Sequence, residues 1–246
     1  MTVSAPDDGV LRIQCWSGPR NISTALMYSW RQRSDTTVVD EPLYAHYLTL
    51  DDRGHPGVDE VLATQSTDAD EVLRSVVLGP VDTPVLYIKN MAHHLKGVDR
   101  GHLAHTENIL LIRHPEAMLA SLSIQLPECE LADTGLEQCV ELLDAVLDTG
   151  GTPVVIDSQH LLQNPRGVLA QVCERLGLAF DPVVLQWPAG PKPEDGAWAP
   201  YWYDNVHRST GFGPPAPPSR PVPERTLPVL EQAMPLYDRL LEYAIV

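Results

Sequence analysis

The stretch Cys15-Trp16-Ser17-Gly18-Pro19-Arg20-Asn21-Ile22-Ser23-Thr24-Ala25-Leu26 constrains this chain more than any other. An apolar run from Val10 to Trp16 leads into it and predicts a strand; Ala25, Leu26, Met27 and Trp30 follow at helical spacing. Strand, tight loop and helix in that order gather backbone N–H groups at a helix N-terminus, which favours an anion. Ser23 and Thr24 can cap the helix or donate to phosphate oxygens, and Arg20 can offer a two-pronged cationic contact. The same residues also suit an ordinary capped turn between strand and helix. The nucleotide loop Gly-x-x-x-x-Gly-Lys-Ser/Thr is not met, because no lysine precedes the hydroxyl pair.

With 246 residues, 43% of them hydrophobic, the chain can bury one core and predicts a single α/β domain over 1–246. Residues 1–9 read as a flexible N-terminus without a signal core, and 181–246 as a C-terminal cap loop and helix. A formal net charge of -16 argues against nucleic acid and anionic membranes as partners. No apolar run is long enough for membrane insertion. Cys15, Cys129, Cys139 and Cys173 show neither a CxxC pair nor metal spacing, so they read as reduced thiols in a cytoplasmic protein.

Further strands are expected at Thr36–Val39, Pro84–Lys89, Asn108–Ile112 and Pro153–Asp157. Helices are expected from about Ser23 to Arg33, Asp68 to Leu78, Gly135 to Asp148, through Val168–Leu176, and from Pro235 to Ala244. Leu43 to Thr67 reads as a long mixed loop beside an acceptor pocket, and Pro214-Pro215-Ala216-Pro217-Pro218 as an extended surface run. Strand ends deliver Asp40-Glu41-Pro42, His93-His94 and Arg113 toward one crevice, since ligands of open parallel sheets sit off the carboxyl ends of strands. Each group also has a plain reading as loop or capping charge.

Pro19-Arg20-Asn21-Ile22-Ser23-Thr24 resembles the Pro-Lys/Arg-Ser-Gly-Ser/Thr-Thr loop of sulfotransferases, with Asn21 in place of serine and Ile22 in place of glycine. Arg113-His114-Pro115, followed by Ser121, is similar to that family's second signature, an Arg-x-Pro with a serine eight residues after the arginine. Asp157 to Gly177 resembles a third, architectural stretch. The resemblance implies a P-loop-type three-layer α/β fold with a mainly parallel central sheet flanked by helices. It implies transfer of a sulfuryl group from 3′-phosphoadenosine 5′-phosphosulfate (PAPS) to a hydroxyl or amine of a small molecule. Adenosine 3′,5′-bisphosphate would leave, and no metal is called for. Pro19 to Thr24 would hold the 5′-phosphosulfate, with Arg20 absorbing charge, and Arg113 with Ser121 would hold the 3′-phosphate. Glu41 is favoured as base, with His93 and His94 as rivals or partners and Lys89 resembling the family's lysine. Arg208 and Ser209 lie in a loop that can close over the nucleotide. Two other classes stay open: a kinase or nucleotidase with Mg²⁺ on Asp157, and a non-catalytic nucleotide-binding protein. A homodimer is compatible with the sequence.

Overall fold

The computed structural model describes residues 8–51, 54–148, 150–214 and 221–246. Most of the N-terminal stretch read as flexible, and residues 215–218 of the proline run, lie outside them. Six strands form one sheet: β1 (Leu11–Ser17), β2 (Thr36–Asp40), β3 (Val85–Met91), β4 (Glu107–Ile112), β5 (Val154–Asp157) and β6 (Ala244–Ile245). Their order is β2-β3-β1-β4-β5-β6, and each neighbouring pair is parallel. The five strands expected from sequence are present; β6, two residues long, carries too little pattern to read.

Both faces are covered, which explains why the central strands are almost wholly apolar. One face packs Trp16, Leu86, Ile88, Leu110, Ile112 and Val155 beneath helical residues such as Val72, Leu143, Tyr237 and Leu240. The other packs Ile13, Cys15, Tyr87, Ile109, Leu111 and Ile156 against Leu26, Met27, Leu169 and Val172. The result is a three-layer α/β fold. The helices are α1 (Ser23–Trp30), α2 (Tyr44–Leu48), α3 (Val58–Thr64), α4 (Ala69–Val72, continued by a wider turn to Val77), α5 (Pro115–Leu122), α6 (Leu136–Asp148), α7 (Ser158–Gln163), α8 (Pro165–Arg175), α9 (Ala199–Trp202), α10 (Asp204–His207) and α11 (Leu227–Leu241). None of them is long and apolar enough to cross a membrane.

Two expectations need correcting. The Leu43–Thr67 region is not a long loop: it holds α2 and α3, because Tyr44, Ala45, Tyr47 and Leu48 bury one helical face against Trp198 and Tyr203. The last helix starts at Leu227 rather than Pro235. Pro235 is exposed inside it, while Ala233, Tyr237 and Leu240 keep the buried stripe on the opposite side.

Candidate active site

β1 ends at Ser17, and the loop that follows must pass under the chain near Thr134. A Cβ on Gly18 would lie 2.3 Å from the Thr134 carbonyl oxygen, so the approach requires glycine. The left-handed turn is taken by Arg20, at φ 54°, whereas Ile22 keeps an ordinary φ of -96°. Isoleucine in the glycine position is therefore no obstacle. Asn21 braces the loop: Oδ1 accepts from the Ile22 N–H at 2.9 Å, and Nδ2 donates to the Leu111 carbonyl of β4 at 3.0 Å. Its side chain is thus committed to the protein rather than turned to an anion. Ile22 is the N-cap of α1, and no side chain caps that helix, so Ser23 and Thr24 do not serve as caps. Pro19 to Thr24 all line one cavity of about 510 Å³, into which the uncapped helix end opens.

Arg113 emerges from the tip of β4 and donates from Nη1 to the Arg20 carbonyl oxygen. Arg20 Nε donates to Ser121 Oγ on α5 at 3.1 Å. The two signatures, about a hundred residues apart in sequence, thus converge. Neither guanidinium has a carboxylate partner among the described residues. Burial lowers the pKa of both, and the charge of Arg20 adds to the effect on Arg113. Two half-buried cations left without an anion make a receptive site for phosphate or sulfate oxygens.

Across the cavity, strand register places Asp40 beside Lys89. Lys89 is fully buried on a largely apolar strand and needs opposite charge. Its Nζ donates to Asp40 Oδ1 at 2.9 Å, to Glu41 Oε1, and to the Tyr203 hydroxyl at 2.8 Å. Both carboxylates hold its pKa well above the ordinary lysine value against the effect of burial. Glu41 sits at φ 41°, a conformation held by its N–H to the Lys89 carbonyl at 2.8 Å and by Gln65 Nε2 on its own carbonyl at 3.1 Å. Burial pushes the Glu41 carboxyl up to about 7, against the pull of Lys89 and with the charge of Asp40. His94 is buried, stacked on Tyr44 at 4.8 Å, and has its pKa driven well below the usual value by burial and by His93. His93 is half-buried and lines the cavity against Tyr47.

Glu41, Lys89, His93, His94, Arg20 and Arg113 all reach this cavity, together with Tyr44, Tyr47, Trp202 and Phe212. Arg208 does not. Its side chain is 64% exposed and pairs with Asp204 at 2.6 Å and Asn205 at 2.8 Å, because α10 turns it to solvent. Ser209 borders the cavity, but its hydroxyl donates to the Val206 carbonyl at 2.7 Å and accepts from Trp187 Nε1 at 3.1 Å. Asp157 caps α7, accepting from Gln159 N at 2.8 Å and His160 N at 3.1 Å, and takes a bond from the Tyr237 hydroxyl at 3.0 Å.

A family model described as a sulfotransferase domain matches residues 11–244. The chain belongs to the sulfotransferase domain family. The sulfotransferase domain of the Synechococcus PCC 7002 olefin synthase superposes with a TM-score of 0.53 at 18% identity, covering 94% of this chain and 98% of that one. A sulfotransferase from Alicyclobacillus acidocaldarius gives 0.54 at 12% identity, covering 96% and 97%. These likenesses are of fold. A curated relative, the branched-chain-amino-acid aminotransferase-like protein 1 of Arabidopsis thaliana, is 38% identical over 229 residues. The match takes in 93% of this chain but only 41% of that protein, so this chain spans about two fifths of the relative's length. In this sulfotransferase domain, sequence reasoning missed the Tyr203–Trp198 support of Lys89. A lysine inside the run Val85–Met91 was the available signal, since a buried ammonium demands partners, but nothing local named them.

Proposed function

We propose that this protein moves a sulfuryl group from PAPS to a hydroxyl or amine of a small-molecule acceptor, in the cytoplasm. The supporting observation is a single cavity with two unneutralised arginines at an uncapped helix end and a buried, proton-accepting carboxylate facing it. When bound, PAPS supplies the activated sulfuryl group. Arg20 and the N–H groups at the start of α1 would absorb charge growing on the departing 5′-phosphate; Arg113 and Ser121 would hold the 3′-phosphate. Glu41 takes the acceptor proton as the new bond to sulfur forms and the bond from sulfur to the 5′-phosphate oxygen breaks. A carboxyl near 7 suits that task at neutral pH, whereas His94 is too weak a base. His93 remains close enough to orient an acceptor. The aromatic walls exclude water from the sulfuryl group.

The kinase alternative loses support because both oxygens of Asp157 already serve a helix cap and Tyr237. Incubating the protein with PAPS and a metabolite extract, then searching by mass spectrometry for products heavier by one SO₃, tests the proposal. Glu41→Gln should lower formation of that product about 10²–10⁴-fold. Full activity in Glu41→Gln, His93→Asn and His94→Asn alike would remove this mechanism.

A further inference from the structure

Lys89 has three N–H donors, and each is taken, by Asp40, Glu41 and Tyr203. Tyr203 sits on the segment that follows α9, 114 residues from Lys89 in sequence. Its hydroxyl also donates to Asp40 Oδ2 at 2.7 Å and accepts from Trp198 Nε1 at 2.9 Å. The Gly196 N–H reaches the same Asp40 oxygen at 3.3 Å. The two carboxylates are therefore served unequally. Asp40 receives three donors, while the Glu41 side chain receives Lys89 alone, its second oxygen lying 3.9 Å from His94 Nδ1. One buried cation cannot neutralise two buried carboxylates, so the less supported one is the one that gains and loses a proton.

We propose that Tyr203 is a positioning residue for the base: its hydroxyl holds Asp40 against Lys89 and leaves Glu41 to take up and release the proton. This inference rests on the reading of Glu41 as base. The groups facing Glu41 are Lys89 from β3, Asp40 from β2, His94 from the turn after β3, Tyr44 from α2 and Tyr203 from the C-terminal segment. Removing the Tyr203 hydroxyl strips a donor from Asp40 and an acceptor from Lys89. Lys89 then turns more fully to Glu41, which lets Glu41 ionise at lower pH.

The test is a ¹³C NMR titration of the full chain labelled at glutamate side-chain carboxyls, with the Glu41 signal assigned by its loss in Glu41→Gln. The wild-type midpoint is expected near 7. In Tyr203→Phe, which keeps the ring, it should fall by about one pH unit. Should Tyr203→Phe prove unfolded in a thermal melt, Tyr203→Met carries the same expectation. Trp198→Phe, which leaves the hydroxyl in place, should move the midpoint far less. An unmoved midpoint in a folded Tyr203 variant, or an equal shift in Trp198→Phe, overturns the inference. If the midpoint falls as expected while Glu41→Gln still transfers the sulfuryl group, the positioning role stands and the assignment of the base fails.

Discussion

Glu41 carries a proton that an unfolded chain would lose earlier. Its carboxyl is raised from 4.5 to about 7, chiefly by burial, so the stability it contributes is full below about 4.5 and is lost as pH rises through 7. Glu41→Gln has no such proton. The stability of wild type relative to that variant should therefore decline between about pH 5 and about pH 8, by at most about 3 kcal/mol. Paired denaturant melts at the two pH values check this, and a constant difference would mean the carboxyl is not raised. Arg20 makes a separate claim. Arg20→Ala should reduce turnover by about 10²-fold or more while weakening nucleotide binding less, because its charge is needed most as the 5′-phosphate departs. Arg20→Lys should recover part of the rate but not the forked geometry. Equal losses in affinity and none in turnover would make Arg20 a binding residue alone.

At the scale of elements, the loop between β1 and α1 shows what local sequence can and cannot say. Val10 to Trp16 and Asn108 to Ile112 read as strands because buried parallel strands are continuously apolar. Pro115 and Pro165 occupy the first turns of α5 and α8, where a missing N–H costs the helix nothing. The loop's position was legible too, but the roles within it were not. That Asn21 braces β4 through the Leu111 carbonyl, and that Arg20 rather than Ile22 turns left-handed, are features of the folded loop that no spacing encodes. Gly18 is the tightest point. Gly18→Ala should destabilise the fold by about 1–3 kcal/mol, because its Cβ would meet backbone rather than a flexible side chain. An unchanged melting temperature would mean the chain near Thr134 yields more readily than its packing indicates.

Across the whole molecule, a chain of net charge -16 gathers Arg20 and Arg113 at one cavity and, among the described residues, pairs neither with a carboxylate, although acidic residues outnumber basic ones 33 to 17. The C-terminal segment closes the other side, where Trp198 and Tyr203 reach the Lys89 cluster. Sequence alone marked that segment as a cap, yet it pointed to Arg208, which faces solvent, because long-range side-chain bonds leave no periodic trace. On the proposed function, Arg113 and the loop before α1 would hold a nucleotide bearing a 3′-phosphate. Calorimetry with adenosine 3′,5′-bisphosphate, without added divalent metal, tests it directly against adenosine 5′-phosphosulfate, which lacks that phosphate. Micromolar-scale binding of the bisphosphate is expected, with Arg113→Ala costing about 2–4 kcal/mol for it and far less for the phosphosulfate. No binding of the bisphosphate, or equal losses for both nucleotides, would contradict the account.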